Sequence, residues 1–146
     1  MEIRVKSWIM LRVASVITFL YFAGHTLGIP WTPAVGPQEV TLLASMKSHH
    51  FDAMGFSRTY WDFYYGFGLV ISGYLLVQAV VLWQLASRAK ADPVGVRPII
   101  ASFFVSFLVN AILVWKYFFT VPLVMAIAIA ISLGIALVSA GPKGTD

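Results

Sequence analysis

Cysteine is absent from the chain, which excludes disulfides, thiolate metal centres and cysteine nucleophiles. Charge is scarce as well. Asp, Glu, Lys and Arg make up 11% of the 146 residues, where a water-soluble domain carries about 25%. Glycine-rich phosphate loops, serine-triad signatures and basic-aromatic patches are missing too, so neither a nucleotide nor a nucleic-acid partner is expected. No internal repeat or low-complexity segment is evident. What fills the chain is apolar: 60% of residues are hydrophobic and the mean hydropathy is +0.84. Those values exclude a soluble globule and a disordered tail alike. In such a chain the formal net charge of +4 marks the cytoplasmic flanks of membrane spans.

Crossing the hydrocarbon core takes roughly 20 mostly apolar residues, and uncharged runs of that order occur four times. They predict helices over about 8–29, 62–88, 96–117 and 121–140, in one integral membrane domain covering 1–146. Arg4 and Lys6 before the first run look like the charged region of a signal peptide. The run is too long for that, however, and no small-residue cleavage site follows it, so a retained helix is expected. Orientation follows from the basic residues. Arg4, Lys6, Arg12, Arg88, Lys90, Arg97 and Lys143 fall on the side of both termini, and Lys47, Arg58 and Lys116 on the other. This asymmetry predicts cytoplasmic termini. Trp8 and Trp83 then fall at the inner interface, and Trp31, Trp61 and Trp115 at the outer one, where amphipathic rings are favoured.

The connections are unequal. Residues 116–122 allow only a tight hairpin and 89–96 a short polar loop, whereas the outer loop 30–60 is long enough to hold an element of its own. Gly36-Pro37 followed by Glu39 reads as a helix start, with proline in the first turn and an acid at the positive end of the dipole. Leu42, Leu43 and Met46 form an apolar stripe, which His49 and His50 continue if the helix persists. The expected fold is therefore an all-α membrane protein, a bundle of four transmembrane helices with one outer amphipathic helix in the first long loop.

Polar groups inside spans need partners, because an unsatisfied one in hydrocarbon costs several kcal/mol. His25 stands five residues before Pro30, about 7–8 Å below the outer loop at the rise of a helix. At one expected depth it joins His49, His50, Asp52, Arg58, Asp62 and Lys116, with Tyr60, Tyr64 and Tyr65 around them. Three readings stay open. In the plainest, His25 ties the loop to the bundle through a carbonyl or tyrosine, and Arg58 and Asp62 form an i, i+4 pair. In the second, His25 with His49 or His50 and with Asp52 or Asp62 holds zinc or iron, with His25, His50 and Asp52 as the leading metal candidates. A haem or chlorophyll on a single imidazole is a variant of it. In the third, Asp62 at the hydrocarbon boundary, Asp52 or His25 moves protons as a general acid or base. Ser102, Ser106 and Asn110 recur every four residues. With the small residues Gly66, Ser72, Gly73, Ala126, Ala130, Ser132 and Gly134 they read as packing contacts between helices. The alternative is that Asn110 and Gln78 line a ligand cavity. No chain of buried charges crosses the spans, so a pump or proton-coupled transporter is not expected.

Gly24-His25-Thr26-Leu27-Gly28, Trp31-Thr32-Pro33, Ser48-His49-His50-Phe51-Asp52 and Arg58-Thr59-Tyr60-Trp61-Asp62-Phe63-Tyr64 together resemble a family of small bacterial four-span inner-membrane proteins. The resemblance covers nearly the whole chain. It implies location in a bacterial inner membrane and carries no chemistry, because the family has no established activity.

Two functions compete. The first is an accessory or binding subunit of a larger membrane assembly, in contact with lipids and other membrane-protein subunits. The second is an enzyme or binder of a lipophilic small molecule. Its ligand would be held by His25, His49, His50, Arg58, Tyr60, Tyr65, Asn110 and Lys116 at the outer mouth of the bundle.

Overall fold

The structure is a computed structural model describing residues 6–28 and 32–141. Arg4, Pro30, Trp31 and Lys143 lie outside the described residues. The element order is α1 (Ser7–Gly28), α2 (Pro37–Ser48), β1 (His50–Ala53), β2 (Phe56–Thr59), α3 (Tyr60–Ala91), α4 (Arg97–Tyr117) and α5 (Thr120–Ser139). Four of these helices, α1, α3, α4 and α5, are long and apolar enough to cross a membrane. The chain is an all-α, multi-pass membrane protein of the four-helix-bundle class. The expected spans stand within a few residues of those found.

Two compact units divide it. One comprises the segments up to Tyr21 and from Leu75 onward, the other Phe22–Tyr74. The first unit holds the core: Leu11 and Ala14 from α1, Leu82, Leu85, Ala86 and Ala89 from α3, Ile100 and Phe107 from α4, and Ile129, Ala130, Leu133 and Ala136 from α5. In α1 the buried positions are Ser7, Leu11, Ala14, Ser15 and Thr18, the three-to-four spacing of one helix face. The remaining faces are just as apolar and stay exposed, among them Val16, Phe19, Ile127 and Ile131. A helix hydrophobic all round is built for hydrocarbon.

Polar contacts tie the first unit where the sequence expects an interface. Ser15 Oγ donates to the Ala79 carbonyl at 2.7 Å. The Arg12 guanidinium stacks 3.4 Å from the Trp83 ring centre, and its Nη2 donates to Ser87 Oγ at 2.9 Å. Lys90 Nζ stands 4.4 Å from the Trp8 ring. Between α3 and α4, Asp92 Oδ1 accepts the Gly95 N–H at 2.8 Å, and a Cβ at Gly95 would lie 2.0 Å from the same carboxylate.

The small residues divide into two sets. Ala126, Ala130 and Ser132 are buried and pack α5 as expected. A Cβ on Gly134 would meet the Phe104 ring at 3.2 Å. Ser102 and Ser106, by contrast, lie on an exposed face of α4, so the packing role expected of them is corrected. Ser102 Oγ instead donates back to the Pro98 carbonyl, which satisfies the hydroxyl within its own helix.

The long loop departs from expectation in two respects: its helix α2 buries no residue, Leu42 of the expected apolar stripe being exposed, and that helix ends before the two histidines. Its helix α2 begins where predicted, with Gly36 at φ +84 before Pro37 and with Glu39 accepting the Val35 N–H. It stops at Ser48, because His49 turns extended and its N–H bonds the Ser45 carbonyl. Residues that would have continued the helix form an antiparallel hairpin, pairing His50 with Thr59, Phe51 with Arg58, Asp52 with Ser57 and Ala53 with Phe56. Its two-residue turn, Met54-Gly55, has φ +56 and +89, the doubly positive pattern of the tightest hairpin turns.

Candidate functional site

The second unit holds most of the polar residues that the sequence puts forward. Thr59 is buried at the junction of β2 and α3 and caps that helix. Its Oγ1 accepts the Asp62 N–H at 3.1 Å while Asp62 Oδ2 accepts the Thr59 N–H at 2.8 Å. This is the reciprocal exchange of a capping box, with Asp in the usual Glu position. It corrects two expectations for Asp62. α3 begins at Tyr60, so Arg58 lies on a strand and the helical i, i+4 pair does not form. The carboxylate that was a candidate proton carrier is engaged in starting a helix.

Alternation along β1 sends His50 and Asp52 to its exposed side and Phe51 and Ala53 to its half-buried side. His50 Nδ1 lies 3.3 Å from Ser57 Oγ on the neighbouring strand. Asp52 Oδ1 accepts the Gly55 N–H at 2.9 Å and so closes the turn. Arg58 Nη1 donates to the Ser57 carbonyl, and the guanidinium stands 5.4 Å from the Phe56 ring. Each of these side chains therefore has a task in the hairpin itself.

Aromatic contacts join the hairpin and α2 to the first turns of α3. The His49 ring stacks on Tyr60 at 5.7 Å and 17°. Phe51 contacts Tyr60 at 4.9 Å and Phe63 at 5.6 Å, and Phe63 contacts Phe67 at 6.0 Å. Trp61 sits against Tyr64 and Tyr65, with Lys47 Nζ 4.5 Å from the Trp61 ring. Offset ring pairs of this kind contribute about 0.5–1.5 kcal/mol each beyond the area they bury. His49, Tyr60 and Tyr65 are accordingly placed by ring packing.

His25 has a different neighbourhood. Its Nδ1 is 3.3 Å from Ser72 Oγ, and Thr26 Oγ1 donates to the same oxygen at 2.9 Å. Ser72 is twelve residues into α3, about 18 Å along the axis from the capping box at the helical rise. The cluster expected at one depth is thus two groups, His25 with Ser72 and Thr26 below, and the hairpin residues above. Among the described residues no three His, Asp or Glu side chains gather as a metal centre. The metal grouping of His25, His50 and Asp52, with zinc or iron on it, is corrected for the same reason. The missed partner was Ser72, which the sequence offered only as a small residue.

Asn110 and Lys116 belong to α4 in the other unit. Asn110 Oδ1 is buried without a hydrogen-bond partner among the described residues, and Lys116 Nζ lies 5.1 Å from the Tyr117 ring. Compared with protein-family models, with curated proteins and with solved structures, the chain matches none.

Proposed function

We propose that this membrane protein serves as an accessory or binding subunit of a larger bacterial inner-membrane assembly, with both termini cytoplasmic and the α2–hairpin unit on the periplasmic side. One observation carries the reading. The polar residues of the outer unit are engaged in its own caps, turn and strand pairs, while Tyr60, Tyr64, Phe67, Ile71 and Tyr74 of α3 stay exposed. Their spacing of four, three, four and three places them on one helical face, and aromatic faces of this kind are favoured in interface cores. A photo-crosslinking residue at Tyr64 or Phe67, activated in native membranes, tests it. The expected result is a defined adduct with one membrane protein, absent when the crosslinker is at Ile131 on α5. Adducts with lipid alone at all three positions overturn the reading.

The second reading, binding of a lipophilic small molecule, is favoured by the His25–Ser72–Thr26 group, a polar site set between apolar helices. It expects His25→Ala to lose a co-purifying small molecule, seen by mass spectrometry, with helix content unchanged. An identical small-molecule content in the wild type and the variant removes this reading.

A further inference from the structure

The β-hairpin has two chemically distinct faces. On one, His50, Asp52 and Ser57 are polar and exposed. The other carries Phe51, Ala53, Phe56 and Arg58, because cross-strand partners share a face and side chains alternate along each strand. Phe51, on this second face, packs against Tyr60 and Phe63 at the start of α3. The apolar face of the hairpin is therefore continuous with the aromatic start of a membrane-spanning helix.

The tip extends that face. Met54 is 97% exposed and Phe56 63%. Met54 also adopts φ +56, a conformation that glycine or asparagine enters at less cost. The residue thus displays a long apolar side chain at a turn position whose backbone favours other residue types. The charge pattern fits a phospholipid surface. Arg58 stands beside the Phe56 ring, while Asp52, the only acid of the hairpin, lies on the opposite face and bonds the turn. Apolar side chains flanked by a basic one are the composition of segments that rest at the headgroup layer.

We propose that the hairpin tip is a lipid anchor: Met54 and Phe56 enter the headgroup layer of the leaflet into which α3 begins, and Arg58 pairs with lipid phosphate. The site is independent of the accessory-subunit reading, since its ligand is the membrane itself. It requires only that α3 spans the bilayer.

Because the chain lacks cysteine, a single one can be labelled without background. Full-length Met54→Cys, Phe56→Cys and Ser57→Cys, each carrying a nitroxide, are reconstituted in phosphatidylethanolamine–phosphatidylglycerol vesicles, with Ile131→Cys as the lipid-facing reference. The measurement is relaxation by oxygen, which concentrates in lipid, against relaxation by a water-soluble nickel chelate. The anchor predicts oxygen-dominated relaxation at positions 54 and 56, as at 131, and nickel-dominated relaxation at 57 on the polar face. Labelling 54 leaves Phe56 in place and the reverse, so each position reports on a tip with one native side chain. Nickel-dominated relaxation at 54 and 56 overturns the proposal by placing the tip in water. Protection from both reagents overturns it as well, by placing the tip against protein, such as a second copy of the chain.

Discussion

Asp62 illustrates how one side chain admits several chemical readings until its neighbours are known. A carboxylate among Trp61, Phe63 and Tyr65 at a hydrocarbon boundary has the surroundings of a proton carrier, but its contacts are those of a helix cap. Capping makes a prediction that proton transfer does not. Asp62→Ala leaves the Thr59 N–H without its acceptor and breaks the reciprocal box, so it lowers the thermal unfolding midpoint in detergent. Asp62→Asn keeps an acceptor for the Thr59 N–H and stays close to the wild type. Equal losses for Ala and Asn, read by the thermal midpoint, would show that the charge itself is needed. His25 is the converse case. Its need for a partner was readable from its place in an apolar run, but the identity of that partner was not, because the register between α1 and α3 is a property of packing.

Among the elements, the four spanning helices were legible because length and hydropathy alone select them, and even the α2 start was written in Gly36-Pro37 and Glu39. The hairpin was not. A two-residue turn is usually announced by Asn-Gly or Asp-Gly, and Met-Gly carries half of that signal. Moreover, His49 and His50 follow Met46 at helical spacing, so the stripe continues on paper after the helix has ended. The structure places the decision at His49, whose extended backbone ends α2, and at Gly55, whose φ of +89 closes the turn. An L side chain at that φ is strained, and Gly55→Ala is expected to cost about 1 kcal/mol. Amide hydrogen exchange reads the effect as faster exchange across residues 50–59, while the protection of α4 and α5 is unchanged. Exchange that accelerates equally throughout would show that the hairpin and the first unit unfold as one.

For the whole molecule, charge is distributed as sharply as hydrophobicity. Among the described residues, Lys6 and Arg12 near the start of α1, with Arg88, Lys90 and Arg97 around the α3–α4 connection, face a single acid there, Asp92. The α1–α3 connection, the first turn of α3 and the end of α4 hold Lys47, Arg58 and Lys116 against Glu39, Asp52 and Asp62. Under the orientation proposed above, this basic excess stays in the cytoplasm and the α2–hairpin segment lies on the other side. Single cysteines decide the matter. Gln38→Cys on α2 and Ala91→Cys at the end of α3 are both exposed positions, and a membrane-impermeant maleimide is applied to intact cells. Gln38→Cys is expected to react at once, and Ala91→Cys only after the membrane is permeabilised. The opposite order would turn the molecule over. The aromatic face of α3 and the hairpin tip would then meet the cytoplasmic leaflet, and a partner of the proposed kind would have to be sought on that side.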